Sequence, residues 1–400
     1  MVTKMNKKEI LEIRKQFKPD NSAITRICGC YVDGDKNIKL TFKEAFGSLT
    51  EEEAFKYYEI FRKTLSGTIG KNLMNMEFPL AQEAEGGTQE FLLKVKNSAL
   101  QDDELLNIFY QKVIEHYIYG ENYYIILIHG AYDIPGKATD GSEMFDASDN
   151  VYDFVLCSIC PVNLSKAGLY YNIEKNSIED RIRDWVVDMP SKGFLFPAFN
   201  DRNMDIHGIL YYSKNPEELQ QDFVDQVLGC VVPLSATGQK ETFQTLITEI
   251  LGEECDYEVV RSIHENLNEI IETNKENPDP VTLAKSDVRY ILEESGVEDE
   301  KIEEIVKEYD EVIEPGTQLL ATNIADTRSF SIKTPDVVIK VNPERTDLIE
   351  TRIIDGKQCL VIVVDDHIEV NGMNVRTMRR EGQMDLDEQY ALSEEPGLYE

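Results

Sequence analysis

A chain of 400 residues with 42% hydrophobic side chains is long enough for a large buried core and, as a prior, for two or three domains. Its net charge of −34 opposes nucleic acid and anionic membranes over most of the surface, because binding either depends on Lys and Arg displacing counterions. The longest apolar runs, such as Tyr123–Ile128, fall far short of the roughly 20 residues a bilayer demands, so no membrane span is expected.

In chain order, MVTKMNKKEILEIRKQF mixes charge with aliphatic residues and lacks the apolar core of a secretory signal, which leads to an expected cytoplasmic location. Seven cysteines, an odd number scattered along the chain, suit free thiols in a reducing compartment. Asn6 and Glu9 form a capping box, and Ile10, Ile13 and Phe17 follow at helical spacing until Pro19. AITRICGCYV and IKLTFKEAF flank Asp33-Gly34-Asp35 and read as a hairpin. Thr50 and Glu53 cap a second helix, with Ala54, Tyr58, Phe61 and Leu65 on one face.

The next stretch, LSGTIGKNL (Leu65–Leu73), has the look of a phosphate-binding loop. Such a loop runs from a buried strand through glycines into a new helix, so that free N–H groups meet the phosphates. Here the glycine ends a helix, Leu65 stands where the first glycine belongs, and Asn72 replaces the magnesium-holding hydroxyl. The pattern reads as a helix cap, with Gly67 in the cap position, and a connection.

A helix over Asp103–Tyr119 precedes strands near Tyr123–His129, Tyr152–Cys160, Leu169–Ile173 and His207–Tyr212. Irregular alternation and short turns predict an α+β fold with a mainly antiparallel sheet and packed helices over residues 1–250. Helical spacing resumes in ELQQDFVDQVLG and KETFQTLITEIL. From Leu251 to Pro315 the chain carries 21 Asp plus Glu against 6 Lys plus Arg, an acidic helical segment. Residues 316–378 hold the apolar runs VVIKV, LIETRII, QCLVIVV and HIEV with Asp355-Gly356 and Asn371-Gly372 turns, a small β-hairpin domain expected to form one antiparallel meander. Residues 379–400 show no period and read as a disordered acidic tail.

Several residue groups invite chemistry. Cys28 with Cys30, and Cys157 with Cys160, could supply four thiolates to zinc, but both pairs lie in apparent strands where Cys157 and Cys160 would face opposite ways. Asp184–Gly208 contains the only Trp, Trp185, among Asp184, Asp188, Lys192, Asp201, Arg202, Asp205 and His207. Acids, a cation and a histidine in an aromatic loop suit acid–base work or a carboxylate-held Mg2+ or Mn2+; an aromatic plug with surface ion pairs explains the same residues. Ser235, Thr237, Gly238 and Lys240 open a helix and could hold a phosphate or carboxylate, although ordinary capping suffices. Lys4, Lys7, Lys8, Arg14, Lys15 and Lys18 make the N-terminal helix basic. The other histidines, His116, His129, His264 and His367, stand alone in sequence.

The phrases ITRICGCYVDG, FRKTLSGTIGKNLMNMEFPL, LCSICPVNLSKAGL, RDWVVDMPSKGFLFPAFNDR and KNPEELQQDF resemble a family of cytosolic bacterial proteins described only as domain of unknown function 4317. The resemblance runs over nearly the whole chain, the tail excepted. It implies a bacterial origin and carries no role to any residue. Without a strong catalytic motif, the expected function is that of a non-enzymatic acidic scaffold with a protein partner, a basic one fitting best, and no cofactor. Two alternatives stand beside it: a metal-assisted phosphoester hydrolase using Asp184, Asp201, Asp205 and His207 with Lys240 or Arg202 on the phosphate, and nucleic-acid association through the basic helix or the C-terminal β unit.

Overall fold

The computed structural model describes residues 4–20, 22–137, 143–144, 150–312, 319–364 and 368–375; the expected tail at 379–400 and His367 lie outside the described residues. The chain divides into two compact units, 1–326 and 327–400. The fold is α+β with a mainly antiparallel sheet, as the alternation of patterns suggests.

Seven strands of the first unit form the sheet's main path: β1 (Ile24–Val32), β2 (Ile38–Ala45), β3 (Leu73–Glu77), β4 (Tyr123–Ile134), β5 (Asn150–Leu164), β6 (Lys192–Phe196) and β7 (Gly208–Ser213). They lie in the order β2-β1-β4-β5-β6-β7-β3, and every pairing is antiparallel. Trp185–Val187 adds a short eighth strand against the far end of β5.

Both faces of this sheet are covered, which is why central strands such as β4 read as continuous apolar runs instead of an alternation. On one face Cys28, Leu127, Cys157, Phe194 and Tyr211 pack against helices α3 (Thr88–Asn97) and α4 (Asp103–His116) and the helical turns of 221–228. On the other, Ile27, Ile126, Leu156, Leu195 and Leu210 meet α1 (Lys7–Arg14) and α2 (Glu51–Thr64). Both expected capping boxes are present: the Asn6 side chain accepts from Glu9 N–H while Glu9 bonds Asn6 N–H, and Thr50 and Glu53 repeat the arrangement.

A third core belongs to helices α5 (Ala236–Leu251), α6 (Tyr257–Thr273), α7 (Lys285–Glu294) and α8 (Asp299–Val312), with the chain at 319–325. Leu267, Ile291, Leu292, Ile305 and Leu319 are fully buried in it. This core meets the sheet region at the stretch that resembles a phosphate loop. Gly70 has φ +81°, and a Cβ there would overlap Leu320. Its carbonyl accepts from Asn323 Nδ2 at 3.0 Å, and Asn323 also reaches the buried Gln239 Oε1 at 3.1 Å. Gly70 is needed for close approach between two parts of the fold. Gly67 takes φ +126°, two residues past the Leu65 cap of α2.

In the second unit, Phe330–Lys333 pairs with Val338–Val341, Ile349–Ile354 with Lys357–Ile362, and Ile368–Val370 with Met373–Val375. These are three separate hairpins among the described residues, which corrects the expectation of one meander. The turn residues legislate each local reversal but carry no information on whether neighbouring hairpins share a ladder.

Candidate functional site

The stretch from Asp184 to Gly208 is not one loop. Trp185, Val186 and Val187 pair with the end of β5 and remain exposed. Lys192–Phe196 is the fully buried strand β6, and Ala198–Asn200 turns back on Asn203–Asp205 through Asp201 and Arg202, both at positive φ. Trp185 faces Leu164 whereas Phe196 faces Val155, so Asp184 stands about 30 Å along β5 from the turn that holds Asp201 and Asp205. The four residues expected to share a metal are therefore split. Asp205 and His207 do meet: Asp205 accepts the His207 backbone N–H at 3.0 Å and Asn200 Nδ2 at 2.6 Å. His207 Nδ1 lies 2.7 Å from Glu83 Oε1, and that carboxylate raises the imidazole above its ordinary range. Asp184 has its backbone N–H on Ser165 Oγ, and Asp188 accepts from Asn163 at 2.7 Å. Lys192, 3% exposed, donates to Ser213 Oγ at 3.0 Å and is lowered from its ordinary value by burial.

Arg202 is already engaged. Its Nη2 and Nε lie 3.0 and 3.2 Å from Glu12 Oε1, and Tyr132 donates to the same oxygen at 2.9 Å. One turn back, Glu9 is raised by burial while backbone N–H groups of Asn6, Asp201 and Arg202 oppose the shift. The two acids of α1 thus clasp the Asp201-Arg202 turn, and the guanidinium offered as an anion ligand serves as a fastening.

The opening of α5 is self-capped. Ser235 Oγ accepts from Gly238 N–H at 3.0 Å and donates to Glu217 at 3.0 Å, which places a carboxylate where an anionic ligand would sit. Thr237 is exposed, and Lys240 is half-buried with His264 in its field. The cysteine pairs separate as their strand positions require. Cys28, Cys30 and Cys157 face α3 and α4, while Cys160 faces α1 and α2. Gly29 between the first two leaves room for the stacked rings of Phe42 and Tyr124. Burial pushes the Cys28 and Cys30 thiols up to about 12. All seven cysteines are free thiols, and among the described residues no three His, Cys, Asp or Glu side chains gather as a metal site.

Part of the basic stripe lines a cleft of about 540 Å³ between α1 and β4, where Lys8, Lys15 and Lys18 stand with Glu12, Ser22 and Tyr132. Its lysines are exposed.

A second charged group was invisible in the sequence. On the sheet face toward α3, Arg26 of β1 pairs directly with His129 of β4, and Asp153 of β5 lies diagonally from it, two residues before Val155. Lys96 of α3 is 6% exposed and His129 8%. Thr25 Oγ1 sits 2.7 Å from His129 Nδ1 and donates to the His129 carbonyl at 3.1 Å. Burial, then the Lys96 and Arg26 charges, holds His129 below its ordinary value, against an opposing pull from Asp153. Lys96 is likewise lowered by burial, and its ammonium lies 3.6 Å from the Met204 sulfur. Residues 26, 96, 129 and 153 lie on four elements, so no spacing pattern could have joined them.

The sequence profile of a domain of unknown function, DUF4317, matches residues 5–373. No curated protein matches the chain. The chain belongs to the DUF4317 family.

Proposed function

We propose that this DUF4317 protein is a non-catalytic interaction protein of the bacterial cytoplasm whose acidic helices recruit a basic protein partner. The observation that carries the reading is the way α7 and α8 spend their two faces. Val288, Ile291, Leu292, Ile302 and Ile305 point into the third core, while Glu294, Glu298, Asp299, Glu300 and Glu304 are exposed. The segment's cations are largely occupied: Arg289 bridges to Glu303, Arg261 to Glu258, and Lys301 to Glu254. The surplus negative charge therefore stands outward on a folded support, where it attracts a cationic surface over about a Debye length, roughly 8 Å at physiological salt. Seven free thiols suit a reducing compartment, and among the described residues no helix is long and apolar enough to cross a membrane. The hydrolase alternative draws no support from the separation of Asp184 from Asp201, Asp205 and His207. The nucleic-acid alternative, through the basic helix or the C-terminal β unit, has the exposed lysines of the α1 cleft in its favour.

The test is calorimetric titration of a Lys/Arg-rich peptide into the full chain and into a variant with Glu294, Glu298, Glu300 and Glu304 changed to Gln and Asp299 to Asn. Wild-type protein should bind, more weakly as salt rises, and the variant should lose about tenfold or more in affinity. Equal binding by the two proteins sinks the proposal.

A further inference from the structure

From Asn163 to Val187 the chain extends beyond the sheet as a two-stranded arm in which no residue is buried. Its base is the end of β5 paired with Trp185–Val187, and its tip pairs Leu169–Asn172 with Ser177–Asp180. Four residues intervene between the two ladders on each strand. Ser165 N–H donates to the Asp184 carbonyl and Arg181 N–H to the Gly168 carbonyl, both at 2.8 Å, which carries one register from base to tip. Opposite residues and alternate residues share a face, so Leu169, Tyr171 and Ile178 stand together at the tip, and Leu164, Trp185 and Val187 at the base. All six are exposed, Leu169 by 75% and Ile178 by 64%, and Ile182 between the two groups is 80% exposed. The tip ladder pairs with no third strand among the described residues, so its outer edges are open. A lone two-stranded hairpin is marginal in water and is stabilised when a further strand or a packed face covers it. Proteins that stay monomeric seldom expose so long an apolar run together with an open strand edge.

The charge of the arm indicates what covers it. The whole chain carries −34, yet between Asn163 and Val187 four Lys and Arg balance four Asp and Glu. A strongly basic partner is drawn to the acidic helices instead, and nucleic acid finds no surplus of cations on the arm. A second copy of the arm brings matching apolar side chains and equal numbers of both charges. We propose that the arm is the self-association surface of this protein, two copies pairing arm to arm about a two-fold axis that crosses them. The arms then run antiparallel, and the tip of each lies along the base of the other, an isologous contact. Leu169, Tyr171 and Ile178 of one copy approach Trp185 of the other. The length of the arm falls within the roughly 20–30 residues that a stable interface uses on each side.

The experiment is sedimentation velocity of the full chain over a range of concentrations, with the emission of Trp185, the only Trp, followed in the same samples. A dimer should form at micromolar protein, and the emission should shift to the blue with the same midpoint. Because neutral arms join two acidic chains, the dimer should hold or tighten as salt rises, the opposite of the salt effect expected for a basic partner. Leu169→Ser with Ile178→Ser should weaken dimerisation by about tenfold or more and leave the circular dichroism spectrum unchanged, since both side chains are exposed in the single copy. Lys166→Glu with Arg181→Glu makes the arm acidic and should weaken the dimer at low salt, with recovery at high salt. A chain that stays monomeric at micromolar concentration, a dimer that forms with Trp185 emission unchanged, or a dimer indifferent to both variants would each overturn the proposal. If the apolar variant loses its fold, the charge variant decides.

Discussion

Two charged clusters occupy opposite faces of the sheet near the same end of β4, and they are built on contrary principles. At the α1 clasp, Glu12 receives Arg202 and Tyr132 on one oxygen, and Glu9 receives backbone N–H groups from the Asp201-Arg202 turn. Each charge there has a partner, and the result is a fastening. Across the sheet, Arg26, Lys96, His129 and Asp153 stand together without bonds between them, and burial pushes Lys96 and His129 toward their neutral forms. The same residue types make a joint in one place and stand as separate charges in the other; the difference lies in whether the hydrogen bonds close between them.

The largest effect should fall on the frame that both clusters share. Phe196 is fully buried and packs edge-on against Phe78 with ring centroids 5.6 Å apart, so Phe196→Ala should cost about 3–5 kcal/mol in urea unfolding. A cost below about 1 kcal/mol would mean that β6 is not the packed strand described. Next comes the clasp. In a double-mutant cycle of Glu12→Gln and Arg202→Met, the pair should show a coupling of about 1–2 kcal/mol, since both side chains are mostly shielded from solvent. No coupling would erase the contrast between a bonded and an unbonded cluster.

The two histidines sharpen the comparison through pH. His129 is lowered from 6.5 in the fold, so the native state resists its protonation, and the unfolded chain binds more protons between the folded value and 6.5. Stability relative to His129→Gln should therefore rise with pH through that window and level off above it. His207 is raised above 6.5 by Glu83, so its contribution is complete below 6.5 and is lost as pH rises through its folded value. Being 59% exposed at its side chain, it should contribute less than about 0.5 kcal/mol after screening. Titration of both rings by NMR in one sample checks the pair of signs, and identical midpoints would refute the account. The smallest effect is expected at Asp201, exposed at φ +48°, a conformation Asn adopts as readily: Asp201→Asn should change stability by no more than about 0.5 kcal/mol by thermal unfolding.

Much of the local structure was legible because it depends on neighbours in sequence. The capping boxes at Asn6 and Thr50, the β1–β2 hairpin, and the opposed faces of Cys157 and Cys160 follow from short-range bonding and from the period of two in a strand. The stretch around Trp185 misled because composition does not reveal pairing. A tryptophan, three phenylalanines and several acids read as one aromatic pocket, whereas pairing with β5 carries Asp184 to one end and Asp201 to the other.

What the sequence by itself determined is the two capped N-terminal helices, the first hairpin, the α+β class and the charge: capping, periodicity and net charge are properties of contiguous residues, and tertiary packing had no need to select them. What only the tertiary structure decided is which charges meet. Strand order places β1, β4 and β5 side by side, α3 crosses the face they share, and four residues spread over 128 positions of chain become neighbours. Gly70 tells the same story from the other side: its sequence context suggests phosphate chemistry, but the reason for the missing side chain is Leu320, 250 residues away. Sheet order and helix packing are set by the burial of whole faces, a sum over distant residues, and a local pattern carries no record of that sum.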